Sequence, residues 1–330
     1  MLRSLSLAVM VVAGLFASAA ARAADKVDFM IDWVPSGEEA YPYVGVQEGF
    51  FAQEGLDVTI RIGRGSVDVI TKLATGTADF AMAAIGPLMA AAAQGPIPVK
   101  AVLSIYNKQP DANFTVKGSG INSIKDLAGR TVGTATFSSS NTIWPIFAAM
   151  NGLDVTKINL QKVEVNTLAP LLASGKIDAT INWVTASPGT ASVVKKAGKE
   201  LVILPWSQYG LEGYGSSMIA SARVIKERPD LAGRMVRAFY KSVAFVAANP
   251  MGAAKALKAM VPDIDLETDA AECEIAGGLI KNEISAKNGI GTYEPALLAK
   301  TWEWVAKAQN FPLDKLNPET VVDRSFVPRS

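Results

Sequence analysis

Two successive sets of alternating strand and helix patterns, followed by a tail dominated by helices, predict an α/β chain whose sheets are mostly parallel and flanked by helices. Three observations carry this expectation. Short apolar or alternating runs, bounded by glycine and separated by helix-period segments, fill residues 27–108 and again 109–212. The scheme Leu-Ala-x-Gly-x-x-Asp, followed by an apolar strand and a polar loop, occurs once in each set, in LATGTADFAMAAIG (73–86) and LASGKIDATINWVT (172–185). Beyond Tyr214 there are too few strand patterns for a further sheet, so the tail is expected to pack on the first set. Two similar lobes follow from this arrangement.

In the first set, VDFMI (27–31) reads as a strand and YVGVQEGFFAQEG as a helix ending near Gly55. LDVTIRI (56–62) alternates as a strand does, and GSVDVITKLATG is a helix opened at Ser66 and closed at Gly76. ADFAMAA (78–84) and VKAVLSIY (99–106) are further strands, separated by the small-residue helix PLMAAAAQG. The second set opens with the strand FTVKG, the short helix INSIKDLAG and the strand RTVGTA. SSSNTIWPIFAAMNG is a helix with a serine-rich start, and INLQKVEV a strand. LAPLLASG, IDATINW, a helix near 188–198 and ELVILPW complete it. From YGSSMIASARVIKERPD helices dominate, the longest being LAGRMVRAFYKSVAFVAANP; on a late helix Trp302 is expected in the core and Trp304 at the surface.

Composition removes several functions. The 330 residues are 49% hydrophobic with a formal net charge of +1, which gives no reason to expect nucleic acid or an anionic membrane as partner. There is no histidine and a single cysteine, Cys273. Serine or cysteine nucleophiles activated by histidine cannot be built, and zinc loses its commonest ligands. No metal or cofactor is expected, and no catalytic residue is singled out, although carboxylate or lysine catalysis is compatible with the composition. Cys273, having no partner, reads as a buried small hydrophobe.

At the N-terminus, Arg3 precedes an apolar run from Leu5 to Phe16 and the small-residue segment ASAAARAAD. The run is too short to span a bilayer comfortably, so residues 1–23 read as a signal peptide cut after Ala21-Arg22-Ala23. No cysteine follows to carry a lipid anchor, and no later segment reads as transmembrane. The mature chain is expected to start near Ala24 in an exported compartment.

In order along the chain, DWVP, YVGVQEGFFAQEGLDVTI, LATGTADFAMA, IPVKAVLSIYN, IKDLAGRTVG and LASGKIDATI resemble the periplasmic solute-binding proteins of ABC importers. More narrowly, the chain is similar to the branch holding nitrate, sulfonate and taurine binders and binders of thiamine-pyrimidine precursors. The likeness runs from about Val27 to about Ala247 and is strongest at Glu48–Val58 and Lys125–Gly133. It implies the two-lobed type II fold, with two crossing strands joining the lobes and a small molecule held between them. Lobe 1 would comprise 24–108 plus 213–330 and lobe 2 would comprise 109–212. ABC permease subunits are the implied partners and a monomer the implied state.

Ligands in such sheets bind beyond the carboxyl ends of strands. DWVPSGEEAY leaves the first strand there, and Trp33 matches the aromatic of the WxP segment that contacts ligand in pyrimidine-binding members. Tyr41 offers a second ring face, although helical spacing turns at most one of Tyr41 and Tyr43 inward. Glu38 and Glu39 precede a helix, where a carboxylate serves the helix N-terminus with or without a ligand; facing the cleft, one would select amino or protonated nitrogen groups. The pyrimidine binders show Asn and His after WxP where this chain has Ser36-Gly37-Glu38-Glu39, so the ligand itself is open. Ser138, Ser139, Ser140 and Asn141 open a helix and supply hydroxyls and free amides, either as a simple cap or as a polar-atom or anion site. Ser66 beside Gly65, and Ile85 beside Gly86 and Pro87, hold the equivalent junctions in lobe 1. Arg64 reads as an ion-pair partner for an anionic ligand or as a solvated charge.

Trp183 ends a lobe 2 strand and is placed to close over a ligand opposite Trp33. Tyr214, between Gly213 and Gly215, is preferred over Trp206 and Tyr209 near the second crossing. The function expected is ligand capture for an importer, with an aminopyrimidine-like or other aromatic heterocycle favoured and an alkyl sulfonate, nitrate or aromatic carboxylate as the alternative. A receptor-coupled sensor is a further alternative. A thiamine-pyrimidine synthase-like enzyme is disfavoured because that chemistry relies on histidine and a cysteine-rich motif.

Overall fold

The computed structural model describes residues 23–327; the signal-peptide expectation, Ala23 apart, lies outside the described residues. Among the described residues no helix is long and apolar enough to cross a membrane.

Ten strands among these residues form two sheets of five. The first, ordered β2-β1-β3-β10-β4, contains β1 (Asp25–Ile31), β2 (Leu56–Ile62), β3 (Phe80–Ala84), β4 (Val99–Ser104) and β10 (Ser216–Ser221). The second, ordered β7-β6-β8-β5-β9, contains β5 (Asp111–Val116), β6 (Thr131–Ala135), β7 (Asn159–Val163), β8 (Ala179–Trp183) and β9 (Leu201–Pro205). β1 pairs in parallel with β2 and β3, as β6 does with β7 and β8. The chain enters each sheet from the other by a strand antiparallel to both neighbours. β5 is that strand between β8 and β9, and β10 between β3 and β4. β10 had no counterpart in the sequence reading, which assigned its residues to the start of the helical tail.

The repeated Leu-Ala-x-Gly-x-x-Asp scheme has a structural basis. Gly76 and Gly175 close their helices in the left-handed region at φ +79° and +74°, which a residue with a Cβ adopts only with strain. Three residues later the aspartate fastens the next strand. Asp79 accepts from the Asp28 amide at 3.3 Å through its side chain, and Asp178 likewise from Thr131 at 2.8 Å. The same device thus sets β3 beside β1 and β8 beside β6.

The helix expected over YVGVQEGFFAQEG is broken at Gly49 (φ +70°) into Tyr41–Gln47 and Phe50–Gln53. Tyr41 and Tyr43 are both buried, correcting the expectation that only one turns inward. The helix is covered on two sides, by Pro229–Ala248 and by Pro250–Met260. Trp304 is buried too, not at the surface, because the helix Pro295–Ala308 is wedged between Ile85–Gln94 of the first lobe and Trp144–Met150 of the second. One apolar cluster runs through this contact and joins the lobes.

The two crossovers, residues 105–110 and 206–215, lie side by side. Gly215 donates its amide to the Tyr106 carbonyl at 2.9 Å, and Ile105 and Tyr106 both donate to the Ser216 carbonyl. Gln109 Nε2 adds a bond to the Tyr214 carbonyl at 3.0 Å. A Cβ on Gly215 would stand 2.9 Å from Pro110 Cδ and 3.2 Å from the Lys108 carbonyl oxygen. Gly215→Ala is therefore expected to lower unfolding stability in urea by about 1–3 kcal/mol, the cost of forcing atoms into a packed site. An unchanged urea midpoint would show that the crossovers have room to part.

Candidate functional site

Nine residues line one cavity between the lobes: Asp32, Trp33, Glu38, Glu39, Ser66, Ser138, Ser139, Asn182 and Trp183. Their positions follow from the topology. Asp32 and Trp33 leave the carboxyl end of β1, and Ser66 opens the helix after β2. Ser138 and Ser139 follow β6, while Asn182 and Trp183 end β8. All lie beyond the carboxyl ends of parallel strands, where a sheet leaves a crevice. Glu38 and Glu39 are carried by a short 3-10 turn, Gly37–Glu39. The cavity volume is about 20 Å³, room for about one water.

Of the residues singled out from the sequence, Trp33, Glu38, Ser66, Ser138, Ser139 and Trp183 line this cavity. Asp32 and Asn182 were missed, and Glu39 had been weighed only beside Glu38. The signal for Asp32 and Asn182 was a polar residue directly next to the Trp that ends a strand. Trp183 and Ser139 also wall a second small cavity behind the first, with Gln109, Asp111, Tyr214 and Thr301 among its other walls. Tyr214 therefore faces the back cavity, its hydroxyl accepting from the Glu294 amide at 2.6 Å.

Other expected positions lie outside both cavities. Tyr41 is fully buried among Tyr106 and Phe239, and its hydroxyl donates to that of Tyr106 at 3.0 Å. Ile85 is a core residue, although its neighbours Ala84, Gly86 and Pro87 border the back cavity. Ser140 donates to Asp111 Oδ1 at 2.5 Å. Asn141 accepts from Thr134 Oγ1 and donates to the Ala135 carbonyl, so it ties the helix start to β6. Arg64 stacks over Phe137 at 4.7 Å and pairs with Asp68, so its charge is turned away from the cavity. Trp206 stacks on Phe147 inside the second lobe.

The cavity is acidic, and none of its nine lining residues is basic. Ser66 Oγ donates to Asp32 Oδ2 at 2.5 Å and accepts from the Ala84 amide at 3.0 Å. The Thr185 hydroxyl, from the second lobe, donates to Glu38 Oε2. Behind this turn, the Gly37 amide donates to Glu272 Oε2 at 3.0 Å. Burial disfavours each charged form. It raises Asp32 to about 6 against the Ser66 bond, and Glu38 to about 7 against the Thr185 bond. Glu39 is pushed well above the usual range by burial and by the adjacent Asp32 and Glu38. Glu272 rises to about 9, again chiefly by burial. Asp111, across the cleft, rises to about 6 by burial.

These raised values mean that the folded state holds protons which the unfolded state releases above about pH 4.5. The stabilisation from neutral carboxyls is thus present at low pH and lost as pH rises towards the folded values. Glu39→Gln, a neutral isostere, is expected to melt close to the unsubstituted protein at pH 5 and above it at pH 8.5. Parallel melting curves across that range would remove the buried-acid account.

The family model described as NMT1/THI5 like matches residues 38–253. Over 292 residues the chain is 25% identical to the riboflavin-binding protein RibY of Chloroflexus aurantiacus, covering 86% of this chain and 81% of that one. It is 26% identical to the formylaminopyrimidine-binding protein of Halalkalibacterium halodurans, covering 69% and 68%. It is 25% identical to a 4-amino-5-hydroxymethyl-2-methylpyrimidine phosphate synthase of Legionella pneumophila, covering 68% and 70%. Among solved structures, the alkanesulfonate-binding protein SsuA of Xanthomonas axonopodis pv. citri, bound to MOPS, superposes with a TM-score of 0.69 at 15% identity over 92% of this chain and 99% of that one. That likeness establishes the two-lobed α/β fold of periplasmic binding proteins, and with the family match over most of its length the chain belongs to the NMT1/THI5-like family.

Proposed function

We propose that this protein is the periplasmic solute-binding component of an ABC importer, capturing a small flat-ringed polar solute between its lobes for delivery to permease subunits. Residues 1–23 direct export, and the mature protein works as a monomer. The observation that carries this reading is the placement of Trp33 and Trp183, one from each lobe, on a single cavity beside convergent polar groups. Tryptophan faces give large contact area with preferred ring geometry, and buried polar atoms fix orientation. With space for about one water, the cleft admits a ring only as the lobes part about the crossovers, a hinge motion that ligand affinity then biases.

The relatives' names support a ring: riboflavin for one and formylaminopyrimidine for another. The alternative of an alkyl sulfonate, nitrate or aromatic carboxylate has less support. The serine hydroxyls it relied on face Asp32, Glu38 and Glu39, and no lysine or arginine lines the cavity to balance an anion. The histidine and cysteine-rich motif on which synthase-like chemistry relies have no counterpart in the sequence. There is no histidine, and the thiol of Cys273 is buried and pushed well above its ordinary range by desolvation, then by Glu272 and Asp269.

The reading is tested by thermal shift and calorimetry on the purified protein with riboflavin, aminopyrimidines, aromatic carboxylates and alkyl sulfonates. A ligand at about 100 times its Kd adds about 2.7 kcal/mol to stability. Trp33→Ala and Trp183→Ala are each expected to weaken a ring ligand by about tenfold or more. Binding confined to alkyl sulfonates and unchanged in Trp33→Ala would defeat the ring clamp.

A further inference from the structure

Beyond the binding of a ring, the charge of the preferred solute can be read from the cleft. We propose that the site selects a cation, a planar solute whose edge carries paired N–H donors in amidinium fashion, and that Glu39 is the residue that recognises it. Amidinium, guanidinium and protonated amino-azine groups share that chemistry. The inference rests on the cleft being the ligand site, as proposed above.

Three observations converge. Glu39 is 1% exposed and lines the cavity, yet its Oε2 has no hydrogen-bond partner among the described residues. A buried acceptor in that condition is costly, and a ligand N–H on the cavity side relieves it. Secondly, side-chain hydroxyls already serve the other two carboxyls, Ser66 for Asp32 and Thr185 for Glu38, whereas Glu39 Oε2 is left without a donor among the described residues. Thirdly, no cation offsets the group. Asp269 and Glu272 stand behind Glu38, no lysine or arginine lines the cavity, and Arg64 is engaged outside it with Phe137 and Asp68.

A cation entering this cavity does what no side chain does. It lets a carboxylate beside it hold its charge, and a planar pair of N–H donors matches the two oxygens of one carboxylate. An anion meets the opposite: three carboxyls that could be its neighbours only if all kept their protons.

The test holds the ring constant and changes only the charge of its substituent. Calorimetric titration of the unsubstituted protein with benzamidinium, benzamide and benzoate is expected to give benzamidinium the tightest binding, about 10- to 100-fold over benzamide, with benzoate weakest. Glu39→Gln is expected to erase most of that preference, bringing the affinities for benzamidinium and benzamide within a few-fold of each other. Benzamide or benzoate binding as tightly as benzamidinium overturns the charge assignment and leaves the ring clamp standing. Binding of none of the three overturns the ring clamp and the charge assignment together. Because the ligand series uses the unsubstituted protein, the result does not depend on how well Glu39→Gln folds.

Discussion

At the waist of the molecule the backbone of Tyr106 pairs with that of Gly215 and Ser216, so that both crossovers between the sheets run through one narrow contact. Each crossover feeds the strand that runs antiparallel in the sheet it enters, β5 on one side and β10 on the other. This fixes where both sheets begin and turns the carboxyl ends of their parallel strands towards each other. The cleft is a consequence. Asp32 and Trp33 arrive from one sheet and Asn182 and Trp183 from the other because β1 and β8 end there, whatever ligand they meet.

Within that cleft the governing physics is desolvation. Three carboxyls from one lobe are buried with no basic side chain among the residues around them, and each charged form is penalised accordingly. The hydroxyls of Ser66 and Thr185 offset part of that cost, and Thr185 does so from across the cleft, linking the closed arrangement to the state of Glu38. Glu272 carries the same theme behind the Gly37–Glu39 turn, where it is buried and accepts from the Gly37 amide. The lobes therefore meet through acids and tryptophans, and the proposed preference for a flat, N–H-rich solute is drawn from that surface. The fold it shares with an alkanesulfonate-binding protein leaves the charge of the ligand to these side chains.

Much of the fold was legible in local patterns. Leu-Ala-x-Gly-x-x-Asp marked the same helix stop and strand start in both halves because a left-handed glycine and an aspartate acceptor are needed at those positions. The residues that misled did so for one reason. Tyr43 and Trp304 sit on helices covered on more than one side, and a helical period shows only how wide an apolar stripe is, not how many neighbours press on it. β10 was hidden because its run, SSMIAS, is short and small, and its place in mid-sheet comes from partners β3 and β4 more than a hundred residues earlier.

By itself the sequence determined the alternation of strands and helices, the division into two sets and the side of each sheet on which a ligand would lie. These depend on period, glycine and proline, which act within a few residues. Which polar groups face one another was decided only in three dimensions. Glu38 meets Thr185 across 147 positions and Gly37 meets Glu272 across 235, while Asn141 and Ser140 turn inward to hold β6 and Asp111 and leave the cavity to their neighbours. Burial and hydrogen-bond partners belong to the packed chain, and they alone distinguish a carboxylate that caps a helix from one that awaits a ligand.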